Sequence, residues 1–235
     1  MSNERSYRWF PSVTALFITT LVISNIIAVK IVNLFELFVP AAVILFPVAY
    51  IFGDVLTEVY GYARARQVIW TGFFCNLFAV LAIWIGGYLP SAPFWSAGVF
   101  TTPNSAQDAY AAILGFTPRL LAASFIAYLV GEFLNSIVLA KLKVRTSGRY
   151  LWIRTISSTL IGEGADSFIF IVFAFAGIFP TNALGQAILS QWIIKVSYEI
   201  LATPLTYLVV NALKKSENVD SFDRTTDFNP FKTQS

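Results

Sequence analysis

Six long apolar runs dominate the sequence and dictate its solvent. They cover Val13–Val29, Val39–Tyr60, Val68–Tyr88, Leu120–Ala140, Ile156–Phe179 and Ala187–Leu213. A helix crossing the hydrocarbon core needs about 20 mostly apolar residues, since each residue advances about 1.5 Å through a layer about 30 Å thick. In lipid the backbone must satisfy its own polar groups, which leaves only helices and closed barrels. Barrel strands would read as alternating segments of about ten residues. Unbroken runs such as Ser167–Phe179 exclude that. Charged residues make up 12% of the chain, half the roughly 25% of a soluble domain. The expectation is an all-α membrane protein, a bundle of six transmembrane helices over residues 13–213. A cytoplasmic N-terminal segment, 1–12, precedes it, and a polar, disordered cytoplasmic tail, 214–235, follows. Helices one to three and four to six form two halves, which an odd number of spans each would invert.

Loop charges orient the bundle. With the N-terminus in the cytoplasm, Arg5, Arg8, Arg64, Arg66, Lys141, Lys143, Arg145, Arg149, Arg154, Lys214, Lys215, Arg224 and Lys232 all fall inside. Those are thirteen of the sixteen basic residues. Lys30 and Arg119 fall outside, and Lys195 lies within the sixth run. Both termini are therefore expected in the cytoplasm. Met1–Pro11 is polar and no small-residue cleavage site follows the first apolar run, so that run is expected to be an uncleaved span. The external link Leu89–Arg119 is long, with Pro90, Pro93, Pro103, Phe94 and Trp95. A re-entrant lid and a loop resting at the interface both suit it.

Several chemistries are excluded. The chain has no histidine and one cysteine, Cys75, in an apolar run that reads as packing. Zinc sites on their usual ligands and a His-based triad are ruled out. No G-x-x-x-x-G-K-[ST] loop is present, so the chain hydrolyses no nucleotide through a P-loop. A di-aspartate protease on Asp54 and Asp166 is disfavoured. In Gly162-Glu163-Gly164-Ala165-Asp166 the aspartate comes one residue too late for a G-x-G-D signature.

Ionisable side chains inside spans are costly and usually face the bundle interior or a water-filled cavity. Here there are six acids, Asp54, Glu58, Glu132, Glu163, Asp166 and Glu199, against one base, Lys195. Asp54 and Glu58 are four residues apart and share a helix face, as do Glu163 and Asp166, three apart. Lys195 and Glu199 are spaced to pair along the last helix. Depth agrees: at 1.5 Å per residue, Asp54 is roughly 15 Å from Arg64, while Glu132 and Glu163 are each roughly 13 Å from Lys141 and Arg154. A shared site in the middle to inner half of the bilayer follows. Asn25, Asn76 and Asn135 suit helix-to-helix hydrogen bonds equally well. Gly53, Gly131, Gly162 and Gly164 adjoin the acids, where small residues permit close helix approach.

Three segments carry a family resemblance: FPVAYIFGDVLTEVYGYARAR (Phe46–Arg66), GEFLNSIVLAKLK (Gly131–Lys143) and RTISSTLIGEGADSFIFI (Arg154–Ile171). Together with the six-span layout they resemble the queuosine precursor transporters, a family earlier grouped with vitamin uptake. The resemblance implies import of 7-cyano-7-deazaguanine or its aminomethyl counterpart across the bacterial cytoplasmic membrane, to salvage the modified tRNA base queuosine. On that reading the buried polar residues suggest a substrate site on Asp54, Glu58, Glu132, Asn135, Glu163, Asp166 and Lys195. Glu163 or Asp166 would read the donor edge of the base, and Asn135 and Lys195 would act as donors. Asp54, Glu58 and Glu132 would line the site or carry a coupling proton. The implied partners are the 7-deazaguanine substrate and membrane lipid, with no metal, no cofactor and no nucleic acid. A homo-oligomer or a separate energising partner stays open. A substrate-binding membrane subunit of an ATP-driven vitamin or nucleobase uptake system is the competing reading, since such subunits also lack a P-loop.

Overall fold

The computed structural model describes residues 7–34, 37–115 and 118–232. Helix α1 (Phe10–Ile27) leads into a short antiparallel hairpin, β1 (Ile31–Leu34) with β2 (Leu37–Pro40), which pairs Ile31 with Pro40 and Leu34 with Leu37. A 3-10 turn, Ala41–Ile44, precedes α2 (Phe46–Tyr60). Then come α3 (Tyr62–Tyr88), α4 (Pro103–Leu114), α5 (Pro118–Arg145), α6 (Leu151–Phe175) and α7 (Thr181–Glu217).

Five helical segments are long and apolar enough to cross a membrane; they contain α1, α3, α5, α6 and α7. Helix α2 has 15 residues, or about 22 Å, short of a full crossing by itself. The expected second span is thus broken, with part of its length given to the hairpin strand and the 3-10 turn. Chain ends argue that it still returns the chain across the bundle. The backbone amides of Arg8 and Trp9, ahead of α1, donate to the Glu217 carboxylate at the end of α7, at 3.0 and 2.6 Å. Both ends of the bundle sequence therefore lie on one side, which needs an even number of crossings. Glu217 also places a negative charge at the helix N-terminus, where the dipole favours it.

Helix α2 occupies the centre, packed on α1, α3, α5 and α7, while α5 and α6 share the most extensive helix contact. The apolar core gathers around α2, with Ile51, Val55, Leu56 and Val59 against Val13 and Phe17 of α1. Phe74, Phe78, Phe168, Leu201 and Leu208 point outward and are exposed. In water such a surface would aggregate; against lipid chains it costs nothing. The Asn25 amide donates to the Asn76 side chain at 3.0 Å, tying α1 to α3, the inter-helix role that membrane asparagines often take.

Two loop regions differ from expectation. Part of the external link forms α4, started by a capping box in which the Thr102 and Ser105 side chains each accept the other's backbone amide at 3.2 Å. This helix lies against the end of α3: Tyr110 donates to the Ile83 carbonyl at 3.0 Å and Gln107 to the Gly87 carbonyl at 2.8 Å. The tail is the larger correction. Residues 214–217 complete α7, and residues 218–232 have no regular structure yet are docked along the start of α3. The N-cap of α3 is Gly61, which has no side chain to cap with. The Asp223 carboxylate of the tail accepts the Tyr62 amide instead, at 3.0 and 3.2 Å. Arg66 donates to the carbonyls of Asp227 and Asn229, and Trp70 to that of Pro230. A polar composition suggested disorder, but the tail's polar groups are taken up by the open start of α3 and by the Arg66 and Trp70 side chains.

Candidate functional site

Three arrangements of acidic side chains run through the bundle, and their neighbours separate them. Glu58 is fully buried. The Arg154 guanidinium grips it with two bonds, Nη2 to Oε1 at 2.8 Å and Nε to Oε2 at 3.2 Å. Lys214 Nζ lies 2.6 Å from the same Oε1 and Lys143 Nζ 3.6 Å away. Asp220 of the tail closes the cage, 2.5 Å from Lys143 and 2.8 Å from Lys214. The cage joins α2, α5, α6, α7 and the tail. Every oxygen of Glu58 is taken, so this expected binding residue is set apart from the others as a structural ion network. It lines no open site. A buried pair of this kind holds only while its hydrogen bonds are complete.

The second arrangement joins α6 to α7. Lys195 Nζ lies 2.7 Å from Glu163 Oε2 and also contacts Asp166 Oδ2. Lys195 thus crosses to the neighbouring helix and does not pair with Glu199, although the four-residue spacing allowed it. The three side chains are 11%, 13% and 19% exposed, so they are enclosed yet reachable, unlike Glu58. Glycines decide how near α5 comes. A Cβ at Gly131 would sit 2.9 Å from the Asp166 Cβ, and one at Gly162 would sit 2.8 Å from the Asn135 Cβ and from the Gly131 carbonyl oxygen. Only glycine at this crossing lets Asn135 and Asp166 stand against the facing backbone.

The third arrangement adjoins the second through Asn135. Its amide donates to Asp54 Oδ1 on α2 at 3.2 Å. Asp54 is 1% exposed and Glu199 of α7 is 0% exposed. The two carboxyl groups are within hydrogen-bonding reach of one another. Glu132 of α5 places Oε2 3.7 Å from the position a Cβ would take on Gly53, beside Asp54 in sequence. Tyr50, one turn before Asp54, is within electrostatic reach of Glu132, Glu163, Asp166 and Glu199. Four helices therefore turn their acids toward one mid-bundle region. Trp192 of α7 lies across α6 there, donating to the Leu160 carbonyl at 3.0 Å.

Of the seven expected site residues, the structure groups six: Asp54, Glu132, Asn135, Glu163, Asp166 and Lys195. Two further residues adjoin them, Glu199 beside Asp54 and outside the Glu163–Lys195–Asp166 group, and Tyr50. Glu199 was assigned to Lys195 by spacing, and Tyr50 has no signature in a chain this rich in aromatics. Arg154, Lys143 and Lys214 were read as loop charges, and their burial around Glu58 is a tertiary fact. A groove of about 810 Å³ lies elsewhere, between α3 and the tail, lined by Arg66, Trp70, Phe74, Phe78 and Phe231; none of the expected site residues reaches it. Cys75, read from the sequence as a packing residue, lines the same groove and is partly exposed.

Comparison with known proteins follows the same outline. A family described as "Putative vitamin uptake transporter" matches residues 40–209, from β2 to the last third of α7. A Bacillus subtilis (strain 168) protein named "Probable queuosine precursor transporter" is 29% identical over 197 residues, covering 83% of this chain and 82% of the relative. No solved structure matches. The family match takes in α2, α5, α6 and most of α7, and with them Asp54, Glu58, Glu132, Glu163, Asp166 and Glu199, so this multi-pass membrane chain belongs to the vitamin uptake transporter family.

Proposed function

We propose that the chain imports queuosine precursors, 7-cyano-7-deazaguanine or its aminomethyl counterpart, across the bacterial cytoplasmic membrane with both termini in the cytoplasm. The relative's name suggests the substrate class, and the excess of basic residues at the end where the termini meet supports the orientation. The observation that carries the reading is the Glu163–Lys195–Asp166 group, enclosed in the bundle but partly accessible. A guanine-like ring presents an N1–H and an amino group side by side, and one carboxylate can accept both. Lys195 now occupies the two carboxylates. An incoming base would take one of them by its donor edge and leave the ammonium free to meet the ring carbonyl. Glu132 would offer a second carboxylate to a cationic aminomethyl group, and Asn135 a further donor. Tyr50 and Trp192 are flat side chains suited to stacking against the heterocycle. Glu58 has no part in this site.

The test is uptake of labelled precursor by cells unable to make it, followed by modification of tRNA. Glu163→Gln and Asp166→Asn are expected to abolish or strongly reduce uptake at normal expression. Normal uptake by both would overturn the assignment. The purified chain in liposomes separates transport from the competing role: binding without transport would mark a subunit that needs an ATP-driven partner.

A further inference from the structure

Charge pairing within the bundle is uneven. Glu58 has three cations and Glu163 with Asp166 has one. Asp54 and Glu199 meet each other with none. Asp54 Oδ1 receives the Asn135 amide, but Oδ2 and both oxygens of Glu199 have no donor among the described residues. The Thr155 hydroxyl stands beside Glu199, yet it donates to the Trp152 carbonyl. The surroundings offer no relief. Helix α5 brings Glu132, a further negative group, and Asn135, already used. Helix α6 brings Glu163, held by Lys195, and Thr155. On α2 itself Glu58 is committed to its cage, and Tyr50 faces the other acids. Helix α1 has no charged residue, and the charges of α3 lie near its start, Arg64 over the Tyr7 and Phe10 rings and Arg66 bonded to the tail. Two carboxylates in contact inside a low-dielectric bundle cannot both stay ionised. An ionised pair offers only acceptors, whereas one proton makes an O–H donor that bonds the two together.

We propose that Asp54 and Glu199 form a proton-binding site that couples transport to a proton gradient. One shared proton holds α2 against α7; its loss leaves two facing negative charges that drive the two helices apart. In the cycle, a carboxylate oxygen of the pair takes a proton from water on one side, forming an O–H bond. The same bond breaks to water on the other side once the helices have moved. The pair is distinct from the Glu163–Lys195–Asp166 substrate group and rests on the transport reading only for the word coupling.

The decisive variant is Glu199→Gln. Its amide supplies permanently the donor that the shared proton supplies transiently, so the α2–α7 contact is kept and the protein folds. Purified wild-type and E199Q chains in liposomes are compared with labelled 7-cyano-7-deazaguanine and its aminomethyl counterpart. Wild type is expected to accumulate substrate under an imposed pH gradient. E199Q is expected to lose that accumulation, down to empty liposomes, while keeping exchange of labelled for unlabelled substrate. Infrared spectroscopy supplies a readout that needs no substrate: a protonated-carboxyl C=O band present in wild type at neutral pH is expected to vanish in E199Q and in D54N. Gradient-driven accumulation by E199Q at the wild-type level, or a band unchanged in both variants, overturns the proposal. If wild type neither accumulates nor exchanges either compound, the substrate reading fails. The infrared comparison then still decides the pair, its loss of the band supporting the shared proton and its persistence refuting it.

Discussion

Asp54 and Glu58 stand four residues apart on one face of one short helix, and the bundle treats them in opposite ways. Glu58 meets Arg154, Lys143 and Lys214, with Asp220 behind them. Asp54 meets Glu199 and the Asn135 amide. One turn of helix separates a closed ionic clasp from a group of incompletely paired acids. The clasp gathers four helices and the tail at one end of the bundle, and it leaves the mid-bundle acids with fewer cations than carboxylates. Electrostatic content alone does not make a transport site, because a carboxylate whose lone pairs are all occupied has nothing to offer a solute.

The contrast breaks most readily at Arg154. Arg154→Met removes the bidentate partner and strands a buried carboxylate, a change that costs about 3–5 kcal/mol in comparable buried pairs. Thermal unfolding in detergent should show a large drop, partly restored when Glu58→Gln is added. A single variant as stable as wild type would mean that Glu58 is not clasped.

Gly162→Leu tests the other region. The added side chain must displace Asn135 or the Gly131 backbone, with a cost on the order of 1–3 kcal/mol for overpacking. Precursor binding should weaken more than stability does, and the protease resistance of the tail should stay unchanged. Equal damage to both regions would show that they are not separable.

The smallest effect concerns Asp220. Burial pushes its carboxyl up, but hydrogen bonds from Lys143 and Lys214 outweigh that and hold it below the usual aspartate value. A depressed folded value means the contribution to stability is present above the unfolded pKa of about 3.9 and is lost as pH falls through the folded one. The tail should stay docked from neutral pH down to about 4 and loosen in stronger acid, as read by limited proteolysis of residues 218–232. Asp220→Asn should loosen it modestly at neutral pH and shrink the acid transition. An unchanged transition would remove Asp220 from the clasp.

Much of the fold was legible because spanning length and loop charge are local quantities. The runs at Val68–Tyr88 and Leu120–Ala140 lie within the helices that form there. The second run misled on form, since its apolar residues cannot show that Val39–Pro40 pairs as a strand while Phe46–Tyr60 winds as a helix. The tail misled for a related reason. Asp223 and the carbonyls of Asp227 and Asn229 look solvent-directed in sequence, and only folding reveals the uncapped start of α3 that receives them. Within the site, the Glu163–Asp166 face followed from spacing. The partner of Lys195 did not, because a lysine stem reaches the next helix as easily as the next turn.

The amino-acid sequence by itself determined that the chain is a multi-spanning helical membrane protein carrying more acids than bases within its spans. Each of these depends on residue type and short-range spacing. Tertiary structure alone decided which acids are neutralised and which stay open. The energy of a buried charge depends on the few groups within about 4 Å of it, and in this bundle those groups come from helices far apart in the chain.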